Sequence, residues 1–164
     1  MTRHHHSFGR ESFVTGLIGA GAVALWFLAV DTMAGKPFAT PSILGQVFLF
    51  GKTTPEIGVV DWAAVAAYTG LHVAAFLVFG ALVTKLVFLA DRFGIFRFAL
   101  LMLFVAFEFF FYGILVMLFQ GTAGIFPLWS VLAANSLAAL GMGTYLYRRH
   151  PALQRGLARE PLGQ

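Results

Sequence analysis

The sequence predicts an all-α integral membrane protein: a four-helix transmembrane bundle with a short interfacial helix in its first outer loop. Four observations predict it. The 164 residues are 59% hydrophobic and include 18 glycines, so about 70% of positions are apolar, against about 45–50% in soluble domains. Charged residues make up 11%, where a soluble domain carries about 25%, too few to cover a water-facing surface. Four stretches are long enough to cross a hydrocarbon core of about 30 Å, which takes roughly 20 apolar residues of helix. Finally, lysine and arginine are concentrated in alternate connections, as the positive-inside bias requires.

A cytoplasmic arm, residues 1–12, precedes the first span, 13–35. That span is uncharged from Phe13 to Val30 and continues past Asp31 toward Gly35. Its apolar run exceeds the 7–15 residues usual in a secretory signal, and Asp31-Thr-Met-Ala-Gly-Lys36 is a poor cleavage site, so it reads as a retained helix. Asp31 reads as a solvated helix-end residue. The long loop that follows holds Ile43, Leu44, Val47, Phe48, Leu49 and Phe50. Thr40-Pro41-Ser42 resembles a helix start, with Thr40 as cap and Pro41 in the first turn, which predicts a short helix from Ser42 to Phe50. It is too short to span and is expected in the interface, as a packed lid or as a docking surface or gate. Asp61 is placed to cap the second span, 62–86, ahead of Trp62.

The third span, 97–120, is interrupted once by Glu108, and the fourth, 123–147, has no charge. Short connections make these antiparallel neighbours. No convincing internal repeat supports an inverted-repeat transporter. A basic tail, 148–164, closes the chain; Arg148-Arg149-His150 is expected to anchor the fourth span, with Pro151 stopping the helix. Nine of the eleven basic residues (Arg3, Arg10, Lys85, Arg92, Arg97, Arg148, Arg149, Arg155, Arg159) fall on one side, against Lys36 and Lys52 on the other. The termini are therefore expected to be cytoplasmic, in the inner membrane. Trp26, Trp62 and Trp129 at the outer level, with Tyr145 and Tyr147 at the inner, agree. The net charge of +4 is explained by this anchoring, and no nucleic-acid partner is expected.

The span centres carry the most informative pattern. His72, Glu108 and Asn135 fall near the middle of three adjacent helices, with Tyr68 and Thr69 one turn before His72 and Tyr112 one turn after Glu108. Ionisable groups at that depth normally face the protein interior and find a partner, so the three are expected to be able to meet. They could form a structural hydrogen bond, a proton-handling pair, or a ligand site for a metal, haem or quinone. His72 and Glu108 are the metal candidates, but one histidine, one carboxylate and one amide fall short of the sets typical of di-iron or copper enzymes. The stripes Gly16, Ala20, Ala24 and Asn135, Ala139, Gly143 predict close helix packing, with a homodimer seam as the alternative. His4-His5-His6 reads as a solvated arm. With no cysteine, thiol catalysis and cysteine-ligated metal sites are excluded, and no phosphate loop, Ser-His-Asp set or zinc-protease signature is present.

The segments Ala24-Leu-Trp-Phe-Leu-Ala-Val-Asp31, running on to Pro41, and Leu146-Tyr-Arg-Arg-His-Pro151 resemble small four-span bacterial membrane proteins with no assigned function. The resemblance implies architecture alone. The leading expectation is a non-catalytic subunit or accessory protein of a larger membrane complex, partnered by the bilayer and by other membrane subunits or further copies of itself; the 19 phenylalanines, dense around Phe104–Phe111, suit such contacts. The alternative is a cofactor- or ligand-binding protein (haem, metal or quinone) centred on His72, Glu108 and Asn135. A second alternative is a small proton-coupled transporter acting as an oligomer, with Glu108 as the coupling carboxylate.

Overall fold

A computed structural model of the chain describes residues 7–118, 127–151 and 154–155. The regular structure of the described residues is all helical, with no strands: α1 (Phe8–Met33), α2 (Ala39–Phe48), α3 (Trp62–Ala90), α4 (Ile95–Leu118) and α5 (Leu128–Arg149). The His4-His5-His6 run, the connection around Gly121 and most of the tail beyond Pro151 lie outside the described residues. Among the described residues two helices, α1 and α3, are long and apolar enough to cross a membrane. At a rise of 1.5 Å per residue, their 26 and 29 residues reach about 39 and 44 Å.

α1 lies between α3 and α5 and runs antiparallel to both: Phe8 meets Phe88 and Ala20 meets His72, while Glu11 meets His150 and Trp26 meets Ser130. α4 runs antiparallel to α3 and α5 through Phe107 against Phe79 and Glu108 against Asn135. The face α1 buries is built from small residues at three- and four-residue spacing, Ser12, Thr15, Gly16, Gly19, Ala20 and Val23. Two glycines, Gly16 on α1 and Gly80 on α3, are required by close approach. A Cβ on Gly16 would lie 2.7 Å from the Phe76 carbonyl oxygen, and one on Gly80 would lie 2.7 Å from Gly16 Cα, so the α1 and α3 backbones touch. At this crossing the Thr84 hydroxyl donates to Thr15 Oγ1 over 3.4 Å, both side chains fully buried.

Gly16 and Ala20 thus serve packing within the chain, while Ala24 is exposed. On α5 the buried face is Val131, Ala134, Asn135, Ala138, Met142 and Leu146, offset from the predicted stripe, and Gly143 faces open space. The difference arises because Asn135 shares its turn with Ala134 and Ala138, and these, not Ala139 and Gly143, meet Ala20, Val23 and Phe76.

The helix ends explain the rest. α1 starts five residues before the predicted span, because Glu11 in its first turn favours the helix N-terminus and is buried against α5. It stops in a Schellman motif: Lys36 N–H donates to Asp31 O (2.8 Å), Gly35 N–H to Thr32 O (3.0 Å), and Gly35 takes φ +72°. α3 begins as predicted, with Asp61 Oδ1 accepting from the backbone N–H groups of Ala63 (3.0 Å) and Ala64 (3.1 Å).

The loop helix α2 exists but begins at Ala39, and Thr40 is not its cap. The preceding residue, Phe38, sits in the left-handed region at φ 65°, and Thr40 lies in the first turn, where its N–H donates to Asp31 Oδ2 and its hydroxyl to Asp31 Oδ1, both at 2.7 Å. Asp31 is accordingly 7% exposed rather than solvated: the turn at Gly35 folds α2 back over the end of α1, and the carboxylate of one helix caps the other. α2 is packed down hard, since a Cβ on Gly45 would collide with the Ala64 carbonyl. Gln46, fully buried, accepts from Glu56 N–H (3.0 Å) and Lys52 Nζ (3.2 Å), and Ser42 Oγ accepts from Asp61 N–H (3.0 Å).

Candidate functional site

The three residues predicted to meet at mid-helix separate into two arrangements. Asn135 Nδ2 on α5 donates to Glu108 Oε2 on α4 at 3.1 Å, and Glu108 Oε1 is buried with no hydrogen-bond partner among the described residues. His72 does not join them. Its Nε2 lies 3.2 Å from the carbonyl oxygen of Ala20 on α1. Rotation of α3 about its axis decides this: the Phe76 and Phe79 rings, rather than His72, meet Phe107 on α4. Tyr112, one turn beyond Glu108, is 37% exposed and takes no part in a described hydrogen bond.

A carbonyl oxygen can only accept, so His72 Nε2 carries the hydrogen and, in the neutral ring, Nδ1 is left as an acceptor. The ring is sandwiched on its own helix, stacked on Tyr68 (centroids 5.9 Å, planes 26° apart) and tilted against Phe76 (4.8 Å). Tyr68, His72 and Phe76 follow at i, i+4 and i+8, which puts all three on one face of α3.

Two cavities flank that face. One, of about 230 Å³, lies between α1, α2 and α3, walled mainly by Val23, Phe27, Leu28, Phe38 and Val65, with Asp31 and Thr40 at the α2 end and Tyr68, Thr69 and His72 deeper in. The other, of about 160 Å³, lies between α2, α3 and α4 against Phe48, Leu71, Phe79 and Phe107. Tyr68 and His72 line both. Thr69 spends its hydroxyl on the Val65 carbonyl (2.7 Å), whereas among the described residues neither the Tyr68 hydroxyl nor His72 Nδ1 has a hydrogen-bond partner.

At the opposite end of the helices lies a polar cluster that the sequence reading missed. His150, expected to face the interface beside Arg148 and Arg149, is 3% exposed and sits between two carboxylates: Nδ1 is 2.6 Å from Asp91 Oδ2 at the end of α3, and Nε2 is 3.0 Å from Glu11 Oε2 in the first turn of α1. Phe88 packs edge-on against its ring. The cluster ties three helix ends together. Its members are 80 and 59 residues apart in sequence, and only a basic neighbourhood around Pro151 marked the histidine, so no local signal could have found it. Among the described residues no group of three or more His, Asp or Glu side chains is placed to hold a metal ion.

In comparison with known proteins, no family model, no curated protein and no solved structure matches the chain.

Proposed function

We propose that the chain is a multi-pass protein of the inner membrane, with α1, α3, α4 and α5 as four spans and both termini cytoplasmic, that serves as a non-catalytic subunit or accessory protein of a larger membrane assembly. Charge and aromatic placement support the topology. Lys36 and Lys52 lie at the α2 end with Trp62 and Trp129, while Arg10, Lys85, Arg92, Arg97, Arg148 and Arg149 lie toward the other end. The apolar stretches of α1 and α3 are only 28% buried, where the core helix of a soluble protein is mostly covered.

The observation that carries the subunit reading is the outward face of α4. Ile95, Phe98, Met102, Val105, Phe109 and Tyr112 are all exposed and follow one another at spacings of three and four residues. Those spacings place the six on one face of the helix, a continuous row of large apolar side chains against which a neighbouring helix can seat its own. Native mass spectrometry of the protein extracted gently from its own membrane tests the reading. Extra protein mass is expected, and it should be lost from a Phe98→Ala/Phe109→Ala double variant but kept by Leu140→Ala on the exposed side of α5. A bare monomer in the unmodified protein overturns it.

The cavities at Tyr68 and His72 favour a second reading, ligand binding. Tyr68 and His72, whose hydroxyl and Nδ1 have no partner among the described residues, line apolar space, and a few polar groups on apolar walls are the usual composition of a small-molecule site.

A further inference from the structure

We infer that the 230 Å³ cavity between α1, α2 and α3 binds a single aromatic ring bearing hydroxyl groups, the chemistry of phenols and hydroquinone headgroups, with Tyr68 Oη and His72 Nδ1 as its polar contacts. The inference rests on the ligand-binding reading above and names the class of ligand.

Size comes first. An apolar cavity of about 150 Å³ accommodates benzene, so this one has room for a ring with a few substituents and not for a haem or a steroid. Shape comes second. Tyr68 and His72 present nearly parallel rings, and with Phe27 and Phe38 they make walls suited to a flat aromatic partner, which prefers offset or edge contacts with other rings.

Polarity decides the substituents. The Ala20 carbonyl holds the His72 hydrogen on Nε2, so Nδ1 offers a lone pair that only a donor can satisfy. The Tyr68 hydroxyl can give a hydrogen bond as well as take one. A ring hydroxyl meets both requirements, since it donates to nitrogen and accepts from a phenol; a bare hydrocarbon meets neither and leaves the two groups unpaired in apolar surroundings. A carboxylate is disfavoured because the Asp31 carboxylate already stands at the α2 end of the cavity and no lysine or arginine lines the walls. Asp31 and Thr40 line the α2 end, and the exposed Ala24, Leu25 and Thr69 also line the cavity.

The test is isothermal titration calorimetry of the full chain in detergent, without oxygen and with empty detergent subtracted. Two probes differ only in hydroxyl groups: trimethylhydroquinone and 1,2,4-trimethylbenzene. The hydroquinone is expected to bind at least tenfold more tightly. Tyr68→Phe, which removes a hydroxyl with no partner among the described residues, should reduce that affinity by about two- to tenfold, the size of one net hydrogen bond, with an unchanged melting temperature. Ala24→Phe, on the cavity wall, should abolish binding of both probes. Equal binding of the two probes, or an affinity unmoved by Tyr68→Phe, overturns the hydroxylated-ring assignment while leaving the cavity a ligand site. No binding of either probe to the unmodified protein, or binding indifferent to Ala24→Phe, overturns the ligand-binding reading and the inference with it. Where binding is found, native mass spectrometry separates its sources: an adduct with isoprenoid mass identifies a lipid-tailed headgroup, and its absence a free phenol.

Discussion

His150 Nε2 stands 3.0 Å from Glu11 Oε2, joining the C-cap of α5 to the first turn of α1 across 139 positions of sequence, with both side chains buried. Asp91 at the end of α3 holds the other ring nitrogen, so one imidazole fastens three helices at the end opposite α2. Removing it leaves two carboxylates facing each other without the group between them. His150→Ala should cost about 3–5 kcal/mol, as breaking a buried pair from one side does, read by equilibrium unfolding in mixed micelles. A loss below about 1 kcal/mol, the worth of a solvent-exposed pair, would contradict a structural role for the cluster.

The contact of Gly16 with Gly80 sets how closely α1 approaches α3. Gly80→Ala places a methyl group against backbone that cannot swing aside and should destabilise by about 1–3 kcal/mol or more. Gly70→Ala on the same helix meets nothing within 4 Å and should stabilise, by up to about 1 kcal/mol, because alanine loses less backbone freedom than glycine in a helix. Opposite signs in the two unfolding curves are the expected outcome; two losses of similar size would refute the close-packed crossing.

Asp31 accepts two hydrogen bonds from Thr40, both at 2.7 Å, and Phe38, the residue before α2, makes no side-chain cap. Asp31→Ala should cost about 1–3 kcal/mol for the buried donors it orphans. Because the loss is local, limited proteolysis should cut within residues 36–61 faster than in the unmodified protein. An unchanged cleavage rate there would show that α2 is held by Gly45 and Gln46 packing alone.

Glu108 and Asn135 exchange one hydrogen bond, in which an amide oxygen can replace the carboxylate. Glu108→Gln is expected to fold with stability within about 1 kcal/mol of the original, whereas Asn135→Ala, which strands Glu108, should lose about 1–3 kcal/mol. If proton-coupled flux is measurable in vesicles, Glu108→Gln is also the variant that separates a structural pair from a coupling carboxylate: flux kept supports the former, flux abolished in a stably folded variant supports the latter.

Asp61 could be read as a cap because its partners lie two and three residues away, and the turn of apolar residues after Pro41 could be read as a helix because its period lies within ten residues. Glu108 and Asn135 were legible, with His72, as three residues at one depth, since antiparallel helices of similar length place their midpoints side by side, and two of the three meet. These are local or one-dimensional properties. Helix content, helix order and the apolar length of α1 and α3 follow from them, and the sequence by itself determined them.

The tertiary structure decided which way each helix turns its faces. That rotation gives His72 a backbone carbonyl as partner rather than Glu108, and a carbonyl leaves no mark in residue type. It moves the buried face of α5 from Ala139 and Gly143 to Ala138 and Met142. It draws Asp31 across a tight turn to Thr40 and closes Glu11, Asp91 and His150 around one another. Each of these contacts joins groups whose separation depends on the summed geometry of whole helices and their turns, and successive residues lie about 100° apart around the axis, so a rotation by part of that angle exchanges one neighbour for another.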